Sequence, residues 1–238
     1  MKTTLIIILL SIAILFIGCT ATNQSITTNT VVLMDVTDKF LSRPVVTNIL
    51  KLYGFDKNQY NGGVFQLSDL TKVSFNEMQE VKVAKVNQLL SNQFQREKEI
   101  ASFNEGVTDT ISQAELTPAG ENNSSIYYPV ATALNELAQS KADKKYLLVY
   151  SDLMEHTPEL SFYSKNTLKE VKEKPEVLRG YLESQLKLQS LSGITIYLLY
   201  EPKNSLEDEK FKIVSKFYSD LFESHGAVVI VTPNLQIQ

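Results

Sequence analysis

The chain has 238 residues, 43% of them hydrophobic, enough to bury the core of one large α/β domain or two small ones and too many for wholesale disorder. A formal net charge of −4 and a pI near 5.4 provide no basic field for nucleic acid or for an anionic membrane surface. Tryptophan is absent, the only histidines, His156 and His225, lie far apart in sequence, and the single cysteine, Cys19, rules out an intramolecular disulfide.

At the N-terminus, Lys2 precedes an apolar run from Leu5 to Ile17 that is broken only by Ser11 and closed by Gly18-Cys19. A charged start, an apolar stretch and a small residue before the cut describe a secretory signal. The run is short for crossing about 30 Å of hydrocarbon. Leu15-Phe16-Ile17-Gly18-Cys19 resembles the bacterial lipobox, with Phe16 where leucine is usual. That resemblance implies a signal peptide over residues 1–18 and lipidation of Cys19, whose several acyl chains would hold the protein on its membrane. Thr20 is not the aspartate that resembles an inner-membrane retention signal, so the outer membrane is expected in a Gram-negative cell. Residues 19–29, rich in Thr, Asn and Ser, read as a flexible tether, and a domain is expected over 30–238.

Val31 to Met34 form a continuous apolar run that delivers Asp35, Thr37, Asp38 and Lys39. Such a run predicts a strand buried on both faces, with the polar cluster at its carboxyl end. Val45, Val46, Ile49, Leu50 and Tyr53 recur at helical spacing, with Gly54 placed to end the helix. After Gly62-Gly63, Val64 to Leu67 predicts a strand and Lys72 to Phe75 a second. Residues 81–112 carry Val83, Val86, Leu89, Leu90, Phe94, Ile100, Phe103, Val107 and Ile111 at three- and four-residue steps, which predicts one or two amphipathic helices facing the core. Residues 116–125 read as a loop, with Ser124 or Ser125 as N-cap of a helix over 126–140. Tyr146 to Tyr150 is a second buried strand, and it delivers Ser151-Asp152. Residues 160–175 read as a lysine-rich surface excursion, followed by a helix over 177–191, a strand over 194–200, a helix over 208–224 ending near His225, and a last strand over 227–231. Strand alternating with helix predicts one three-layer α/β domain with a mostly parallel sheet.

Parallel neighbouring strands would bring Asp35 and Asp152 to one edge of the sheet, where two carboxylates need a cation between them. Lys39 or a divalent metal could supply it, and carboxylate and hydroxyl ligands suit Mg²⁺ or Ca²⁺ and not zinc.

Asp35-Val36-Thr37-Asp38-Lys39, the loop Ser124-Ser125-Ile126 leading into a helix, and Ser151-Asp152 together resemble the von Willebrand factor A domain over roughly residues 30–238. The resemblance implies a doubly wound sheet in which the first and fourth strands flank the topological switch point. It further implies a metal-ion-dependent adhesion site in which Asp35 and Thr37 match the first Asp and Ser, Ser124 or Ser125 the loop Thr, and Asp152 the last Asp. Lys39 stands where a second serine would coordinate, and an ammonium has no lone pair to offer. Two arrangements stay open: a site completed by water around Mg²⁺, or Lys39 replacing the metal. Tyr127, Glu155 and His156 fall on the same rim as candidate contacts, although packing or solvation would explain each of them. The expected function is binding of a protein or glycan partner of the cell envelope, with no nucleic acid and no catalysis. The alternatives are a metal-free envelope-assembly scaffold and a metal-dependent hydrolase, for which no convincing nucleophile or base accompanies the aspartates.

Overall fold

Val31, Val32, Leu33 and Met34 alternate between two cores, and the sheet is built outward from them. The computed structural model describes residues 24–35, 42–70, 78–115 and 124–236. Strand β1 (Thr27–Met34) lies between β2 (Gly62–Asp69) and β4 (Lys144–Tyr150), parallel to both. The six-stranded order is β3-β2-β1-β4-β5-β6, with β3 (Gln79–Val83) antiparallel to β2, and β5 (Ile194–Leu199) and β6 (Val228–Thr232) continuing in parallel. The chain runs from β1 to β2 and β3 on one side and returns to β4 on the other. The β1/β4 boundary is therefore the switch point, where a crevice opens beyond the carboxyl ends of the strands.

Helices cover both faces. Helix α1 (Val46–Lys51) and helix α2 (Gln93–Glu115) pack on the side of Val32, Met34, Phe65 and Leu148. The opposite face, lined by Val31, Leu33, Leu147 and Ile196, is covered by α3 (Tyr127–Gln139), α4 (Lys165–Glu173), α5 (Pro175–Gln185) and α6 (Ser205–Ser224). This is the three-layer, doubly wound α/β arrangement that the sequence predicts. Among the described residues no helix is long and apolar enough to cross a membrane. The signal segment 1–18 and Cys19 lie outside the described residues, as do Thr37, Asp38, Lys39 and the strand expected at 72–75.

Several elements differ from expectation. Strand β1 begins at Thr27, inside the stretch read as tether, and Thr28 and Thr30 are fully buried. Threonine is polar by composition but β-branched, and a central strand accepts it. Residues 81–83, read as the start of a helix, instead close β3 (Gln79–Val83) along the edge of β2. Their Val81 and Val83 alternate at the strand period of two. Of the stripe assigned to the core, Phe103, Val107 and Ile111 are buried, whereas Leu89, Leu90 and Phe94 are 90%, 87% and 67% exposed. The lysine-rich stretch 160–175 is no mere excursion: Phe162 and Val171 are buried and α4 occupies most of it. The next helix ends at Gln185, yet Leu188 and Leu191 beyond it are still buried, so apolar spacing there records burial and not helix.

Helix α2 enters through an unusual group. Arg96 is buried, and its guanidinium donates to the carbonyls of Gln59, Ala84 and Asn61 and to Glu99 Oε2. One planar fork thus joins the loop entering β2, the exit from β3 and the first turns of α2.

Candidate functional site

The last apolar pair of the β1/β4 register is Met34 with Tyr150, and the Asp35 amide donates to the Tyr150 carbonyl at 2.9 Å. One step further along that register, Asp35 faces Ser151 and not Asp152. The Ser151 hydroxyl donates to Asp35 Oδ2 at 3.0 Å, and the Ser124 hydroxyl reaches the same oxygen at 3.3 Å. The side chain of Asp35 points to the face of Val31 and Leu33, with the fully buried Leu70 following β2 on its other flank. Asp35 is 2% exposed, and Ser124, Ser125 and Ser151 are buried with it. Ser151 was missed by the sequence reading although it stands beside Asp152. The available signal was the alternation of a strand: residues 147, 149 and 151 share a face with 31, 33 and 35.

Asp152 is half-buried on the rim. Its Oδ1 accepts from the Met154 amide at 2.9 Å and its Oδ2 from the Tyr163 hydroxyl at 3.4 Å. Between them Leu153 adopts φ +62°, a left-handed conformation that side chains rarely take. Its amide donates to Ser151 Oγ at 2.9 Å and its side chain is buried, so the turn is held from both ends. Because Ser151 Oγ accepts that amide, its own proton is free for Asp35.

Glu155 and Tyr127, expected as contacts on the rim, are interior. Glu155 is 3% exposed, and its Oε2 accepts from the amides of Ile126 (3.0 Å) and Tyr127 (2.8 Å) and from the Tyr218 hydroxyl (3.4 Å). It therefore caps α3, the task expected of Ser124 or Ser125; neither serine caps it, since the N-cap position is Ile126 and makes no side-chain cap bond. Burial raises the Glu155 carboxyl above its ordinary range, against the pull of those donors. Tyr127 is fully buried and its hydroxyl donates to the Leu186 carbonyl at 2.6 Å.

His156 stays at the surface, half-buried. Its backbone bridges Ser124 on one side and Ser161 on the other, and its Nδ1 lies 2.9 Å from Ser161 Oγ. Its ring and that of Tyr163 stand perpendicular, with centres 5.6 Å apart. Tyr163, 53% exposed, is the open tyrosine of the rim, in the stretch read as a lysine-rich excursion. Asp69 ends β2 at the same edge, its carboxyl raised by burial and drawn back by Arg43. His225 closes α6 as expected of a structural residue, 3.0 Å from Glu183.

Chemically, the buried cluster offers oxygen only, the Asp35 carboxylate with the hydroxyls of Ser124 and Ser151, and the Asp152 carboxylate follows it on the rim. Among the described residues no three or more His, Cys, Asp or Glu are grouped so that they could hold a metal ion. A cation here would thus rest on hydroxyls beside two carboxylates, a donor set for Mg²⁺ or Ca²⁺. Thr37 and Lys39, which would complete or replace it, lie outside the described residues.

No family profile and no curated protein matches this chain. Among solved structures, the D319A mutant of the PilB minor pilin from Streptococcus sanguinis aligns over 90% of this chain and 59% of its own, at 9% identity and a TM-score of 0.43. The conserved hypothetical protein BatB from Bacteroides thetaiotaomicron aligns over 87% of this chain and 91% of its own, at 10% identity and a TM-score of 0.38.

Proposed function

We propose that this protein is a lipoprotein of the bacterial cell envelope, anchored through Cys19, whose von Willebrand factor A-like domain binds a protein or glycan partner with the rim around Asp35 and Asp152. The outer membrane is its place if the cell is Gram-negative. One observation carries the reading: two serine hydroxyls from separate loops converge on one buried carboxylate at the switch point, directly beneath an open surface of Asp152, His156 and Tyr163. Binding without turnover is the role proposed.

Mg²⁺ would be held by Asp35, Thr37, Ser124 and Asp152, with Ser151 added from the register of β1 and β4. Isothermal titration of Mg²⁺, Mn²⁺ and Ca²⁺ into the full-length protein in detergent tests it. Saturable binding that is lost in Asp35→Ala and weakened in Ser151→Ala is the expected result. A metal-free scaffold is favoured by a separate observation, that both hydroxyls already direct a proton to Asp35. No heat at millimolar metal, with Asp35→Ala less stable than the parent, would replace the first reading with this one. Turnover of a model ester or phosphate would overturn both.

A further inference from the structure

Leu89, Leu90 and Phe94 are the most exposed cluster of large apolar side chains in the described structure, and they stand at the end of the sheet opposite the rim. They are not loosely held. Asn87 fixes the turn by accepting the Leu89 amide on its side chain and the Leu90 amide on its carbonyl, and the Asn92 side chain accepts the Gln95 amide at the start of α2. Lys98 Nζ sits 4.4 Å from the centre of the Phe94 ring, an ammonium placed beside an apolar body. Residues 86–95 contain no charged side chain, in a chain that is 21% charged.

The position of this tip is set by the chain itself. Ser25 Oγ donates to the Val86 carbonyl at 3.2 Å, and Gln24 and Ser25 line one groove with Val86 and Leu89. Cys19 precedes Gln24 by five residues, which span at most about 18 Å when fully extended. A lipid on Cys19 therefore keeps the tip within reach of the bilayer surface whatever path those residues take.

We infer that Leu89, Leu90 and Phe94 form a second membrane contact, a wedge that enters the lipid interface and stands the domain upright with the Asp35–Asp152 rim facing away. The occupant is a bilayer and the contact is apolar: nearby Lys85 and Lys98 are offset by Asp143, Glu97 and Glu99, so the charge at this end is mixed. This rests on the lipoprotein reading for its geometry, and the two fail separately.

The absence of tryptophan allows a single reporter. Leu90→Trp is placed in the full-length protein in phosphatidylcholine vesicles, with Leu206→Trp, exposed at the opposite end, as control. Blue-shifted emission from Leu90→Trp, lost when the lipid chains are brominated, with Leu206→Trp emitting as in water and unquenched, is the expected result. Water-like, unquenched emission from Leu90→Trp overturns the wedge. The mass of the purified protein shows independently whether Cys19 carries lipid. If it does not, the anchor fails alone, and flotation with vesicles decides the wedge. Flotation of the parent, reduced about tenfold or more when Leu89→Asp and Leu90→Asp are combined, supports it. Equal flotation of the two, or none by either, overturns it.

Discussion

Glu155 serves helix α3 from 28 residues further along the chain, and that distance has a consequence for pH. Burial raises its carboxyl in the folded protein, whereas the unfolded chain titrates near the ordinary value of 4.5. As pH rises from about 4.5 through the folded value, the unfolded state gives up this proton first, so the Glu155 contribution to stability declines across that window and is level on either side. Denaturant midpoints measured across the window should carry this downward component, and Glu155→Gln should remove it. Glu155→Ala strips the cap from two amides and a tyrosine and should cost about 1–3 kcal/mol, with the larger cost at the acid end of that window. Ser151→Ala leaves the buried Asp35 oxygen one donor short and should cost a similar amount, about 1–3 kcal/mol by urea unfolding. The sequence displayed Asp35 plainly, because a charged residue ending an apolar strand stands out. It hid Ser151 and Glu155, whose roles depend on register and on a helix from another part of the chain.

Arg96 defines the element scale. Three carbonyls from the loop before β2, the exit of β3 and the Asn61 corner share one guanidinium, so the start of α2 and the β2–β3 pair are a single polar unit. Arg96→Met should orphan all three and cost at least about 3 kcal/mol in chemical unfolding, and Arg96→Lys should recover little, since a lysine cannot present a planar fork. Gly63 supports the same junction by its lack of a side chain. A Cβ there would sit 2.7 Å from Tyr53 and 3.0 Å from Phe103, whose rings meet edge to face at 4.9 Å. At this scale apolar periodicity located the lower half of α2 but could not tell β3 from its continuation, because Val81, Val83 and Val86 satisfy two periods at once. Nor could it see that Leu89, Leu90 and Phe94 project outward, since pattern alone assigns every apolar residue to a core.

For the whole molecule, the order of strands and helices was legible because buried parallel strands are continuous apolar runs separated by helical spacing, and β1, β4 and β5 are such runs. The edges were less so: β3 is polar and short, and β6, the outermost strand, leaves Val228, Ile230 and Val231 exposed. The sheet has two unlike ends, an oxygen-rich crevice where β1 and β4 finish and the Leu89–Phe94 tip where β1 begins.

The placement of β1 also sets how the domain bears load. Tension applied through the residues before Thr27 enters the central strand, which is paired along its length to β2 on one side and to β4 on the other. Both ladders run parallel to β1, so a pull along it shears many backbone hydrogen bonds together, whereas a pull that lifts β6 from the edge opens its single ladder with β5 bond by bond. Single-molecule stretching should therefore require a higher force between residue 24 and the rim loop at His156 than for peeling β6 away from β5. A protein held at its N-terminus and gripped at its rim would meet that stress in its strongest direction.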